Sequence, residues 1–187
     1  MGQPFARYFH RNAILKAATR VFAKRGTTAV TVEDLLKASK ISRRTFYQYF
    51  DGKDGVIEAI YEVSCAMLVD GIREAARRHD DPHARLEACV DFYLSFNRTS
   101  SAALLNVLEG EALRSRRLAP RRLEIIDAIG AELVRHLEGS PDPLLVHAVV
   151  SALEAISLRI HQEGTSEDVL RRAKHAMLRV LTATLLD

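Results

Sequence analysis

Residues 41–53 read ISRRTFYQYFDGK, with two arginines, a glutamine, a lysine and aromatics at 46, 47, 49 and 50. These side chains have the chemistry of a nucleic-acid groove. Arginine can bridge the two major-groove acceptors of guanine, glutamine matches adenine, and threonine can meet a thymine methyl or a phosphate. A tyrosine hydroxyl can hold a phosphate while its ring packs on the scaffold. The reading surface would be Arg43, Arg44, Thr45, Tyr47, Gln48 and Tyr49. Ser42 and Thr45 stand where the backbone donors of a helix start point outward, which suits an anion. Lys53 opens the following helix, a poor place for an ammonium unless a phosphate lies between it and the helix end. A solvated basic face with a Tyr-rich core edge would use the same residue types, so this stretch needs its surroundings.

The elements that must position it are helical. Apolar residues recur at three and four, and strand signals are scarce. A first helix is expected over Arg11–Lys24, with Ile14, Ala17, Ala18, Val21 and Phe22 on one face and Gly26 as its stop. A second begins after Thr31, whose hydroxyl can cap the helix while Asp34 completes a capping box, and it ends near Ala38 or Ser39. Only a few residues later Ser42 caps a short third helix, with Phe46 and Phe50 four apart on its inner side. Two helices joined so tightly must cross steeply, as in a helix-turn-helix. Asp51-Gly52 ends that unit. A long fourth helix is expected from Lys53 to about Arg78, with Val56, Ile60, Val63, Met67 and Ile72 as its inner stripe.

Charge divides the same way. Residues 1–60 carry 11 Lys and Arg against 5 Asp and Glu, a balance of +6, and the remainder carries 16 against 19, a balance of −3, which together give the net +3 of the 187-residue chain. A basic front on a slightly acidic body suits a module that faces a polyanion.

With these residues in view, TVEDLLKASKISRRTFYQYFDGKDGVI, residues 31–57, resembles the DNA-binding segment of the tetracycline-repressor (TetR) family of bacterial transcription regulators. Thr31, Leu35, Ala38, Thr45, Phe46, Tyr47, Tyr49, Phe50 and Lys53 match the family's pattern in order, and AILKAATRVFAKRG before it resembles the family's first helix. The resemblance covers about the first 60 residues. It implies that Thr31, Tyr47, Tyr49 and Lys53 contact phosphates, that Arg43, Arg44 and Gln48 read bases and backbone, and that the rest is an effector-binding and dimerisation domain. Two residues depart from the pattern. Lys40 stands where the turn usually has Gly, at a cost of roughly 1 kcal/mol if the backbone there is left-handed, and adds a candidate phosphate contact. Arg44 stands where a small residue is common and should enlarge the footprint on DNA.

The expected fold is therefore all-α, with about nine helices. Residues 1–52 form a three-helix helix-turn-helix domain, and residues 53–187 form an effector-binding and dimerisation bundle. Further helices are expected over Ala84–Phe96, from Ala102 to about Leu113, from Pro120 to Leu137, over Leu144–Ile160, and over Val169–Leu186 capped by Thr165 or Ser166. The last two helices have two apolar stripes each and Ala-rich faces, so Ala148, Ala152, Ala155, Val169, Ala173, Met177, Val180 and Thr184 are the candidates for pairing with a second copy. Met67, Phe92, Tyr93, Phe96, Leu104, Leu108 and His147 are the candidates for lining a pocket for a small, hydrophobic effector.

Other classes find little support. The chain has no GxGxxG, Walker loop, CxxC or HExxH, and its histidines lack metal-ligand spacing, so neither an enzyme nor a cofactor or metal is expected. Cys65 and Cys89 read as small buried hydrophobes. No continuous apolar run reaches the length of a membrane span, because His147 and Glu154 interrupt the longest one. The start MGQPFARYFHR lacks a signal's apolar core, so a cytoplasmic protein is expected. The function expected is a homodimeric repressor, released from a palindromic double-stranded DNA operator by an effector. The alternative is a helical ligand- or protein-binding module without operator-specific function.

Overall fold

The computed structural model describes residues 3–98, 108, 117–135, 137, 139 and 141–186, leaving the side chains of residues 3–8 and 161 undescribed. Among the described residues the elements are all helices: α1 Gln3–Arg25, α2 Val32–Ser39, α3 Arg43–Phe46, α4 Lys53–Ala76, α5 Pro82–Phe96, α6 Ala119–Val134, α7 Pro143–Glu163 and α8 Glu167–Leu185. The helix expected from Ala102 to about Leu113 lies outside the described residues, except for buried Leu108.

Local chemistry sets most of the boundaries. The Thr31 hydroxyl accepts from Asp34 N (3.3 Å) and the Asp34 carboxylate accepts from Thr31 N (2.9 Å), so α2 begins in a complete capping box. Ser42 Oγ accepts from Thr45 N at 3.1 Å and starts α3. Asp81 and Asp142 cap α5 and α7 ahead of a Pro in the first turn, and Ser166 caps α8. Helix α1 starts eight residues before the expected Arg11. Pro4 occupies its first turn, where a missing N–H costs nothing, and no breaker follows until Gly26 at φ +72°. Lys40 closes α2 at φ 57°, the one non-glycine residue with positive φ among those described. The strain expected where the family pattern has Gly is thus present.

The chain forms two compact units, residues 1–64 and 65–187. In the first, α1 packs on α2. Its core is Ile14, Ala18, Phe22, Val30, Leu35, Phe46 and Phe50, with Val56, Ile60 and Tyr61 from the first turns of α4. In the second, α8 packs on α5 and α7, and α7 on α6. The remainder of α4 buries Cys65, Leu68, Ile72 and Ala76 there. Two residues of the expected α4 stripe fall off it: Val63 and Met67 are exposed, Met67 by 53%. Val63 lies one position before buried Ser64 and Met67 two after buried Cys65, and at about 100° per residue that turns them to solvent.

Glu132 on α6 is only 4% exposed and binds Arg73 of α4 (2.8 Å) and Arg135 (2.7 Å). Burial raises its carboxyl pKa, but the two guanidinium groups outweigh that and leave it below the usual carboxylate range. Residues 143–160 of α7 do reach the length and average apolarity of a membrane span, because His147 and Glu154 are diluted by their neighbours. Yet this helix buries Val146, Val149, Val150, Leu153 and Ile160, and pairs Glu154 with Arg122 of α6.

Candidate nucleic-acid interface

Phe46 and Phe50 hold the surface expected to read DNA in place. Both are buried, with ring centroids 5.8 Å apart, and the Arg11 guanidinium lies 5.8 Å from the Phe50 ring centre. With these two rings inward, Ser42, Arg43, Arg44, Tyr47 and Gln48 are exposed and Thr45 and Tyr49 half-buried. Tyr47 stands edge-on to Phe46 at 5.4 Å, which leaves its ring about half exposed. Tyr49 meets His10 of α1 edge-on at 6.3 Å. Helix α3 is short because after Phe46 the backbone tightens, Gln48 N donating to Thr45 O and Tyr49 N to Phe46 O. The residues expected to contact DNA therefore all belong to the first unit, but their electrostatic states differ.

Lys40 and Arg44 make no hydrogen bond or ion pair with any described residue. Arg43 instead donates to the Glu33 carboxylate on α2. Lys53 Nζ donates to Thr27 O at 2.9 Å, tying the start of α4 to the loop after α1 and leaving two further N–H donors. The Ser42 and Thr45 hydroxyls bond each other at 2.8 Å. Thr31 has both donors turned inward: its N–H and hydroxyl donate to Asp34 Oδ2 at 2.9 and 2.8 Å. A phosphate contact from the Thr31 hydroxyl would replace only its 2.8 Å bond to Asp34 Oδ2 and leave both bonds of the capping box in place.

Asp34 also accepts from Arg25 Nη1 at 2.9 Å. Its carboxyl is held down to about 2, first by the Thr31 backbone N–H, then by Arg25 and the Thr31 hydroxyl. A pKa depressed in the folded state adds stability that is complete above the unfolded value, about 3.9, and disappears as pH falls toward about 2. The melting temperature of the first unit in wild type should exceed that of Asp34→Asn at pH 7, and the gap should close between about pH 4 and pH 2. A gap unchanged across that window would show that Asp34 does not act through its charge.

Glu33 carries no sequence signal of a site. An acid in a first helical turn is explained by the helix dipole alone, and a ten-residue spacing to Arg43 signals nothing.

The second unit contains an apolar cavity of about 70 Å³. Leu68, Ile72, Tyr93, Phe96, Ile129 and Met177 are among its walls, and Asn97, Arg122 and Glu154 supply its polar edge. Asn97 Oδ1 accepts from Ser157 Oγ at 2.7 Å, and the Arg122–Glu154 pair is largely shielded. Of the expected lining, Tyr93 and Phe96 take part, and Leu104 lies outside the described residues. Met67 faces solvent. Phe92 spends its ring on α4, where a Cβ added at Gly71 would come within 1.8 Å of Phe92 Cζ. His147 turns toward Asp127 (3.9 Å), and Leu108 is buried but not among the described lining residues. Cys65 and Cys89 border the cavity without bridging each other, and burial pushes the Cys89 thiol up to about 11. Among the described residues no group of three metal-ligating side chains comes together.

The expected pairing stripe on α8 also needs correction. Ala173 and Met177 are buried within the protomer, in line with Leu181 at four-residue spacing, so they face α5 and α7 and not a second copy. Val169, Val180 and Thr184 are half-buried at the edges of that line. On α7, Ala152 is half-buried, whereas Ala148 and Ala155 are exposed beside Leu144 (79% exposed) and Leu158.

Residues 14–60 match the sequence profile described as "Bacterial regulatory proteins, tetR family". Over 110 residues the chain is 28% identical to the HTH-type transcriptional activator FasR of Mycolicibacterium smegmatis, covering 59% of this chain and 50% of that protein. Over 80 residues it is 34% identical to the HTH-type transcriptional repressor KstR2 of Rhodococcus jostii, covering 43% and 39%. The matches thus span half or less of these relatives' own length. A tetR-family transcriptional regulator from Streptomyces coelicolor superposes with a TM-score of 0.77 over 95% of this chain and 80% of that one. At 20% identity, that likeness is one of fold.

Proposed function

Because the chain belongs to the TetR family of bacterial regulatory proteins, whose members are DNA-binding regulators and not enzymes, we propose that it acts as a cytoplasmic homodimeric repressor that reads a palindromic operator. The observation that carries this reading is the outward cluster of Arg44, Tyr47 and Gln48, set on the buried Phe46–Phe50 pair and started by the Ser42 cap. Arg44 and Gln48 read bases, Tyr47 and Tyr49 hold phosphates, and Lys53 adds a phosphate contact to its bond with Thr27. The exposed face of α7, with Leu144, Ala148, Ala155 and Leu158, packs on a second copy, and the two copies serve two half-sites one or more turns of DNA apart, each turn about 34–36 Å. A hydrophobic effector fills the cavity beside Tyr93 and Phe96, with its polar end toward Asn97. Helix α4 contributes Cys65, Leu68 and Ile72 to that cavity and Lys53 to the DNA side, so displacing it couples effector to operator. That coupling acts equally in both directions.

Operator titration over a range of salt separates the roles. Gln48→Ala should lose roughly 1–3 kcal/mol on the preferred base and change the ranking of operator variants. Lys53→Ala should weaken all DNA alike and lower the salt slope by about one. An unchanged ranking for Gln48→Ala would remove its base-reading role, and an unchanged slope for Lys53→Ala its phosphate role.

A further inference from the structure

We propose that Glu33 is a specificity-determining residue of the DNA-reading surface, which holds Arg43 back from phosphates and releases it to the correct bases. The inference rests on the DNA-binding reading above and concerns a residue outside it.

The first turn of α2 carries two carboxylates, and they have different work. Asp34 is committed to Thr31 and Arg25. Glu33 takes no part in the cap, and its carboxylate accepts from Arg43 Nη2, at the first position of α3. Both side chains are more than half exposed, so the pair is screened by solvent and weak enough for DNA to open. Arg44, next in sequence, has no such partner among the described residues. Two adjacent arginines on one reading surface are therefore in different states, one neutralised and one not.

In a non-specific complex with random DNA, Arg43 meets mainly phosphate oxygens. It would exchange one anionic partner for another and leave the bare Glu33 carboxylate facing a polyanion, so little is gained. Guanine offers two acceptors that engage the guanidinium bidentately, and a carboxylate left nearby can accept from a cytosine amine. Glu33 thus penalises complexes with random DNA more than complexes with the operator, and specificity is the difference between the two. If Glu33 served only the helix dipole, its removal would change melting and leave DNA discrimination alone.

The test measures fluorescence anisotropy of the full chain on a sequence-selected operator and on a random duplex of equal length, at several salt concentrations. Wild type, Glu33→Gln, Arg43→Gln and the double variant are compared. Glu33→Gln should tighten binding to the random duplex roughly three- to tenfold and steepen its salt slope by about one, the mark of one more phosphate neutralised. Operator affinity should change less than the random-duplex affinity, so the discrimination ratio falls. In the Arg43→Gln background, Glu33→Gln should have little effect. Equal tightening on both duplexes, an effect that persists without Arg43, or unchanged binding to random DNA would each overturn the proposal. A wild type that binds neither duplex in a salt-dependent way would sink the DNA-binding reading itself, and this inference with it. A wild type that binds normally beside an unresponsive Glu33→Gln would sink the inference alone.

Discussion

Phe46→Ala should abolish operator binding by unfolding the first unit. Its side chain is fully buried, between Tyr47 and Phe50, in a unit of about 60 residues. Truncating a buried Phe to Ala costs about 3–5 kcal/mol, and a unit of this size has little stability to lose. Hydrogen exchange should rise throughout residues 14–60, while the helices of the second unit stay protected. Tyr47→Ala is the control: that side chain is half exposed, so the fold should persist while DNA affinity drops. Operator affinity within about threefold of wild type for Phe46→Ala would mean that the reading surface does not depend on this anchor.

The second large effect is expected from Ala148→Glu combined with Ala155→Glu. The two positions lie seven apart on the exposed side of α7, and neither is part of the protomer core. In a two-fold interface a patch meets its own copy, so each added carboxylate is placed near another. The variant should stay folded, sediment as a monomer and lose about 10²- to 10⁴-fold in operator affinity, since the second half-site no longer gains from tethering. Met177→Glu should instead unfold the bundle, because Met177 is fully buried on the inner side of α8. A double variant that remains dimeric with unaltered operator affinity would place the pairing surface elsewhere.

What the sequence disclosed and what it concealed follow from the range of the interactions. Capping boxes and paired aromatics act over three or four residues, so Thr31, Ser42, Phe46 and Phe50 could be placed from spacing alone. Even the strained turn at Lys40 was legible, because it stands where the family pattern has Gly. The stripes of α4 and α8 were harder. Each helix has apolar residues on more than one side, and periodicity cannot say which side meets the core. The structure selects Cys65 and Leu68 over Met67, and on α8 it turns Ala173 and Met177 inward. Contacts at long or arbitrary separation left no trace. Glu33 to Arg43, Lys53 to the Thr27 carbonyl and Arg73 to Glu132 are ordinary charges in the sequence and become partners only once the helices are packed.

The central claim is that the first unit, presented twice, reads a defined DNA sequence. The most direct measurement is selection of bound duplexes from a fully random pool by the purified chain at physiological salt, followed by sequencing. The account predicts an enriched inverted repeat whose half-sites lie one or more helical turns apart, and the loss of preference at particular base positions when Gln48→Ala is used. A pool that returns without an enriched motif, or with single half-sites lacking any symmetric partner, would contradict it.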